Sequence, residues 1–556
     1  MHNGKLVILG IDSATFDIIN PMLKEGKLPN LSRMMEGGAS GPLRSTIPPA
    51  TPSAWVSFMT GKNPGKHGVF NFYVSPSYGY IRPALNSKYI KAKTIWRILS
   101  DIGLRIGVIN LPMTYPPETV NGFLIPGMQQ SFDEGSGNFA YPPEIMQEIR
   151  ERFGNYRVLY ADLESLYTNN LDRFIEEWRQ IFEIRKQAIL YLLEQKEWDV
   201  FMPVFYSIDV IQHHFWRFFD KKHPQYDPAV SKKYENIIPE FYEMIDAAIG
   251  EILKKIGDDT TVIVVSDHGA GPEKGAFYVN NWLHDQGFLA FRKMFSPLRR
   301  IRFPHIFYKV LRRLGFRGVA WTVPLDKLKT LGKVIDPREG FNIPFFVNWK
   351  KTTAYSGSQL EQGIYINLKG REPLGIVERG KEYEAVRDSI IKKLKEIKDP
   401  SNGEPLDIEI CKKEDVYYGP FVDEAPDIFI KIKGIEYLMQ KELYHTGLFG
   451  LPNKSSGTHR MEGIFIMKGK GIKTNYTVNT ADIIDIAPTI LYCLGVPVPE
   501  DMDGRVLNEV FTQEYLGNNP VTHSPAAEIK IKRGEGVFDE EESEKIRRSL
   551  RDLGYF

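Results

Sequence analysis

The sequence is short of cysteine: its 556 residues include only Cys411 and Cys493. Two cysteines cannot build a disulfide framework, and these lack the spacing of a metal finger, so a reducing, intracellular setting is expected. No apolar run approaches the roughly 18–20 residues that a membrane-spanning helix needs. The opening MHNGKLVILGID reaches a strand-like run by Leu6 with no signal-type apolar region before it, which predicts a cytoplasmic protein. Charge bias is missing as well: 71 Lys+Arg stand against 70 Asp+Glu, a formal net charge of +1. A nucleic-acid binder is ordinarily strongly basic, so no nucleic-acid partner is expected. There is no internal repeat and no low-complexity tract. The hydrophobic share of 42% and charged share of 25% are those of a soluble globular chain long enough to bury a large core.

What is present is an alternation of short apolar runs and longer helical patterns. Leu6–Ile11, Arg105–Leu111, Val200–Tyr206 and Thr260–Val265 read as strands buried on both faces. Phe16–Glu25, Leu31–Glu36, Thr94–Ile102, Glu164–Gln195 and Tyr234–Ile256 read as helices. Strands separated by helices predict a mostly parallel α/β sheet covered on both sides, with ligands at the carboxyl ends of its strands. Further on, Thr352–Val377 and Asp407–Ile432 read as mixed strand and loop. Ile464–Lys468 reads as a short strand, and Ala481–Leu494 as a helix stopped by Gly495. The tail ends in a helical pattern that puts Ile546, Leu550 and Leu553 on one face.

Several chemistry-bearing residues follow the apolar strands. Asp12 comes after KLVILGI, Asp209 after FMPVFYSI, and the pair Asp267 and His268 after TTVIVVS. A lone Asp in such a place is usually a helix cap. Three such sites, one an Asp–His pair, instead suggest metal ligands. Asp209 and His213 are four residues apart, so a helix beginning there puts both on one face and points His214 elsewhere. Thr51 opens a helical stretch from Ser53 to Met59, where backbone N–H groups favour an anion. His459 sits in SGTHRMEGIFI, read as a polar loop before a strand.

Taken together, VILGIDSATFD, LPNLSRMMEGGASGPLRSTIPPATPSAWVSFMTGKNPGKHGV, IDVIQHHFW, VVSDHGAGP, GTHRMEGIFI and TADIIDIAPTILYCLGVPVPEDMDG resemble the alkaline phosphatase superfamily. They are most similar to its type I phosphodiesterase/nucleotide pyrophosphatase branch, including the prokaryotic phosphohydrolase/phosphomutase group, and span residues 6 to 504. The resemblance implies an alkaline-phosphatase-like three-layer α/β sandwich with a mostly parallel central sheet and a helical insertion. It implies one metal held by Asp209, His213 and His459, and a second held by Asp12, Asp267 and His268. Thr51 is then the nucleophile and Asn71, just after KHGVF, an oxyanion contact. The cofactors implied are two divalent ions, with Zn²⁺ expected first and Mn²⁺ or Mg²⁺ as alternatives. The function implied is phosphodiester or nucleotide pyrophosphate hydrolysis on a small phosphoester or nucleotide-like substrate. Phosphomonoesterase, phosphomutase and phospho-group transferase activities on the same fold remain alternatives. A non-catalytic binding protein would not need the full ligand set.

The organisation expected is one core in two parts, 1–286 and 349–515, interrupted by a basic aromatic helical insertion at 287–348 and followed by an extension at 516–556. Between Gly287 and Leu325 nine basic residues and eight aromatics occur with no acidic residue. Three readings fit that stretch: a cap helix packed on the core, a lid that steers anions, or a peripheral contact with anionic membrane.

Overall fold

The computed structural model describes residues 4–127, 139–154, 156, 170–292, 335–336, 340–341, 346–441, 447–452, 455–526 and 536–552. Residues 293–334 of the basic insertion and Leu553 of the tail therefore lie outside the described residues.

The continuous apolar runs form the centre of the molecule. Strands β1 (Leu6–Ile11), β3 (Ile106–Leu111) and β5 (Val200–Phe205) are buried at every position. A strand can bury successive side chains only if both sheet faces are covered. With β2 (Ala39–Arg44), β4 (Gly122–Pro126), β6 (Thr261–Val265), β16 (Glu462–Lys468), β17 (Tyr476–Thr477) and β18 (Ala481–Asp482) they make a nine-stranded sheet. Its order is β17-β2-β16-β6-β1-β5-β3-β4, with β18 also on β2. The five strands β6, β1, β5, β3 and β4 are mutually parallel, and β16 joins them antiparallel. The result is the mostly parallel α/β sandwich that the strand–helix alternation predicts.

The covering helices fall into two mutually packed groups. One contains α2 (Pro29–Glu36), α5 (Leu171–Gln195), α6 (Ser207–Phe219) and α7 (Ile237–Lys255). The other contains α3 (Thr51–Thr60), α4 (Ile95–Asp101) and α9 (Ile486–Cys493). Helix α4 is capped by Thr94, whose hydroxyl accepts from the Arg97 N–H. All ten residues of α3 are buried, and it stops at Gly61, whose φ of 65° is left-handed.

A second, seven-stranded sheet is built from β8 (Gly275–Tyr278), β9 (Ala354–Tyr355), β10 (Gly363–Ile366), β11 (Ile408–Lys412), β12 (Ile428–Ile432), β13 (Tyr437–Gln440) and β14 (Phe449–Gly450). Its order is β9-β10-β12-β13-β8-β14, with β11 on β12, and only β13–β8 is parallel. It has its own apolar cluster, to which α8 (Lys381–Leu394) contributes Ile390 and Leu394. A short ribbon joins the sheets: β7 (Gly269–Pro272) pairs antiparallel with β15 (Gly457–Arg460).

Two expectations need correction. His459 lies not in a loop but in β15, opposite Ala270, because GTHR pairs with GAGP through backbone groups that hydropathy does not register. The Ala481–Leu494 helix begins later, at Ile486. Ala481 and Asp482 instead pair with β2, and Asp482 and Asp485 form a capping box around a single 3₁₀ turn. The tail helix α10 (Glu540–Asp552) buries Ile546 and Leu550 in the main core. Replacing Leu550 by Ala is expected to cost about 2–5 kcal/mol. The exposed Lys545→Ala change should stay within about 0.5 kcal/mol. Urea unfolding midpoints check both, and an unchanged midpoint for Leu550→Ala would detach the tail from the core.

Candidate metal-binding site

The site forms where the parallel strands end. Asp12 is the first residue after β1 and its N–H donates to the Phe205 carbonyl at 2.9 Å, so the edge of β5 fixes its position. Gly10, two residues earlier, permits a close approach: a Cβ there would stand 2.8 Å from Val204 and 3.0 Å from the Trp55 ring. Trp55, one turn into α3 from Thr51, donates its indole N–H to Asp12 Oδ2 at 3.1 Å. Ser13 follows with φ of 66°, a left-handed conformation held by its N–H to Asp267 Oδ1 (3.3 Å) and by Gln212, whose amide donates to the Ser13 carbonyl at 2.9 Å.

Asp209 and His213 lie one turn apart in α6, as their spacing predicts, with His213 Nε2 3.4 Å from Asp209 Oδ1. His214 points away and meets Phe174 of α5 edge-on. The β7–β15 ribbon brings His459 from the far end of the chain. Its Nε2 is 3.5 Å from Asp209 Oδ1 and 3.1 Å from His213 Nε2. The His268 and His459 rings stack with centroids 3.6 Å apart. His268 Nε2 is 3.1 Å from Asp267 Oδ2, 3.7 Å from Asp12 Oδ1 and 3.1 Å from Thr51 Oγ1.

Two triads of donor atoms lie within 4.8 Å of one another: Asp209 with His213 and His459, and Asp12 with Asp209 and His268. The first is the set expected from the sequence. In the second, Asp209 stands in both triads and bridges them, while Asp267 meets the group through its contact with His268. Asn71 is buried; its Oδ1 accepts from the Phe72 N–H and, among the described residues, its Nδ2 has no hydrogen-bond partner.

The three imidazoles are set alike. Nδ1 donates to a backbone carbonyl in each: His213 to Gly457 (2.8 Å), His459 to Pro49 (2.9 Å) and His268 to Gly269 (3.1 Å). A proton fixed on Nδ1 leaves the lone pair on Nε2, and every Nε2 faces the carboxylates. That is the tautomer and orientation a metal-ligating histidine needs. Among the described residues Asp12 Oδ1 and Asp267 Oδ2 are buried without a hydrogen-bond partner, the state expected of oxygens meant for a cation. The residues therefore fit divalent ions with mixed N/O ligation.

The electrostatics point the same way. Burial, and then the charge of Asp209, push the Asp12 carboxyl well above the carboxylate range. Burial does the same to Asp267, with Asp12 and Asp209 adding to it. Burial would also raise Asp209, but His213 and His459 outweigh it and hold Asp209 well below. Burial lowers His268 and His459. His213 goes up despite burial because Asp209 faces it.

Three supporting residues went unread in the sequence. Trp55 could have been found, since it lies one helical turn from Thr51 in TPSAW. Ser455, whose hydroxyl lies 3.2 Å from His213 Nδ1, carries no sequence signal, because its closeness depends on β15. Glu273 is buried at the neck of the ribbon, and burial raises its carboxyl to about 8. His213 and His459 also line a cleft shared with residues of the second sheet.

A family model described as type I phosphodiesterase / nucleotide pyrophosphatase matches residues 6–463. Over 70 residues the chain is 41% identical to a Caenorhabditis elegans protein described as an extracellular sulfatase Sulf-1 homolog. That stretch is 12% of this chain, and the chain spans about a tenth of the length of that curated relative (10%). Human ectonucleotide pyrophosphatase/phosphodiesterase 5 superimposes with a TM-score of 0.49 at 12% identity, over 92% of this chain and 100% of that one. Phosphonoacetate hydrolase from Sinorhizobium meliloti, in complex with phosphonoacetate, gives 0.49 at 16% identity, over 89% and 95%. No helix among the described residues is long and apolar enough to cross a membrane.

Two outcomes follow from the geometry. Adding Zn²⁺ or Mn²⁺ to metal-free protein at about 100 times its Kd should stabilise it by roughly 2.7 kcal/mol per site. Asp209→Ala should lose most of that gain; thermal unfolding that ignores the cation in the wild type would contradict the site. Glu273 supplies a pH dependence in the metal-free protein. Its carboxyl is protonated when folded and ionised when unfolded between the usual carboxylate range and about 8. The unfolded state thus binds fewer protons, so stability is full below that window and is lost as pH rises through it. Glu273→Gln should flatten the slope between about pH 5 and pH 8 in urea titrations; an unaltered slope would show that Glu273 does not titrate there.

Proposed function

The chain belongs to the type I phosphodiesterase/nucleotide pyrophosphatase family, and from that premise we propose that it hydrolyses phosphodiesters through Thr51 at a two-cation centre. The observation that supports this most is the convergence of three identically anchored imidazoles and three buried carboxylates on one point, with Thr51 Oγ1 3.1 Å from His268 Nε2. Asp209, His213 and His459 would hold one ion, and Asp12, Asp267 and His268 the other, with Asp209 between them. Bound divalent ions, Zn²⁺ first among them, supply charge neutralisation and Lewis-acid polarisation there.

The rest is done by the chain's own groups. Thr51 is the first residue of α3, so the phosphoryl oxygens meet the positive end of a wholly buried helix. Asn71 offers its Nδ2 donor, unbonded among the described residues, to a phosphoryl oxygen. Trp55 holds Asp12 in place through its indole N–H. Thr51 Oγ1 bonds to phosphorus as the bond to the ester oxygen breaks, and the alcohol leaves in line. Water then attacks the phosphothreonine, releases the phosphate product and restores the hydroxyl.

Thr51→Ala is expected to keep the metal content found by elemental analysis and to lower kcat on bis(4-nitrophenyl) phosphate by at least about 10³-fold. A kcat within tenfold of wild type would remove Thr51 from the nucleophile's role. Faster turnover of 4-nitrophenyl phosphate than of the diester would move the activity to the monoesterase alternative.

A further inference from the structure

The cleft beside the centre has one wall that is built rather than incidental. Its core side is formed by Pro48, Pro49 and Thr458, next to His213 and His459. The opposite side comes from the turn around Gln359–Gln362 and from Ile435 and Leu438, at the near end of the second sheet. Among the described lining residues the two histidines are the only ones that can carry charge.

The turn is held from three directions. Gln362 adopts a left-handed φ of 43°, uncommon for a residue with a side chain. Both ends of its amide serve as scaffold: Nε2 donates to the Gln359 carbonyl, and Oε1 accepts from the Met439 N–H at 3.0 Å. Glu361 is gripped by Arg82, which reaches across from the core and makes two bonds, 2.6 and 2.9 Å, while the Tyr365 hydroxyl donates to the same carboxylate at 2.9 Å. Both partners of that ion pair are buried. A fork-to-fork pair with no exposure fixes geometry more surely than it adds stability.

What this frame presents is Gln359. Its residue is 6% exposed and lines the cleft, and its side-chain amide makes no hydrogen bond among the described residues. A clamped turn thus keeps a hydrogen-bonding amide at a cavity whose remaining wall is mostly aliphatic.

Direction comes from the reading above, on which this inference rests. Thr51 touches His268, in the triad farther from the cleft, and Asp209 joins that triad to His213 and His459. In-line displacement sends the leaving oxygen away from Thr51, towards the rings that line the cleft. We propose that this cleft is the subsite for the leaving alcohol, that it takes an uncharged organic group with a hydrogen-bonding edge, and that the Gln359 amide reads that edge. A second phosphate or a carboxylate would meet, among the described lining residues, no Lys or Arg to neutralise it.

The test measures binding, so it is independent of turnover. Three phosphate monoesters with the same phosphoryl group are titrated calorimetrically into the protein in Zn²⁺ buffer: phenyl, 4-acetamidophenyl and 4-carboxyphenyl phosphate. The acetamido ester should bind about fivefold more tightly than the phenyl ester, the worth of one hydrogen bond. The carboxy ester should bind at least about tenfold more weakly than the acetamido ester. Gln359→Leu should erase the acetamido advantage and leave phenyl phosphate and inorganic phosphate unchanged; Gln359→Met, a second volume-matched replacement, should do the same. Equal affinity for the three esters in the wild type would overturn the subsite. So would a Gln359→Leu change that weakens inorganic phosphate as much as the acetamido ester. If the hydrolase reading fails, diesters stay intact while this order of affinities persists; if the subsite fails, the order is lost while hydrolysis continues.

Discussion

Three carboxylates, Asp12, Asp209 and Asp267, are buried together just beyond the carboxyl ends of β1, β5 and β6. Like charges so close, and away from water, oppose one another. The upward displacement of Asp12 and Asp267 records that opposition. Most of the surrounding design manages it. Trp55 and the backbone of Ser13 give hydrogen bonds to two of the carboxylates, and His213 and His459 offset the third. Each imidazole is tied by Nδ1 to a main-chain carbonyl, so none can turn its lone pair outward. A bound cation would relieve that crowding, and the carboxylates and histidines make chemical sense as a set.

Much of this could be read from the chain, for identifiable reasons. Leu6–Ile11 and Thr261–Val265 are continuous aliphatic runs, and such runs mark parallel strands buried on both faces. The residues after them therefore fall at the carboxyl ends of those strands. The four-residue spacing of Asp209 and His213 needed only helical geometry. What escaped has a common cause: it depends on pairing between distant segments of unremarkable composition. Ala39–Arg44 is ASGPLR, without a strand-like pattern, yet it lies in the main sheet because β16 pairs with it. His459 looked like a loop residue because GTHR becomes a strand only against GAGP. The doubled role of Asp209 and the turn carrying Gln359 are equally invisible to local reading, since both follow from which elements face each other.

The second sheet completes the setting without supplying any of the six candidate ligands. Its near end closes the cleft, and a buried ionic network holds its interior: Arg371 and Lys413 both pair with Asp427, and Tyr383 donates to the same carboxylate. The division is between a core that carries reactive groups on strand ends and an appended sheet that shapes the space in front of them. Such a division lets one chemistry serve different substrates, because specificity changes where turns change and leaves the ligand set untouched.

The β7–β15 ribbon has a consequence for how the molecule is made. Pro272 stands opposite Gly457, so everything between them departs and returns through one two-stranded neck. During synthesis, Asp12, Thr51, Asp209, His213, Asp267 and His268 all leave the ribosome before the return strand exists. The final imidazole arrives only after the whole excursion has been translated. A half-made chain thus holds Asp209 and His213 without His459, so the triad they share is the last to be completed. The capture of a cation would then mark the moment at which the neck closes.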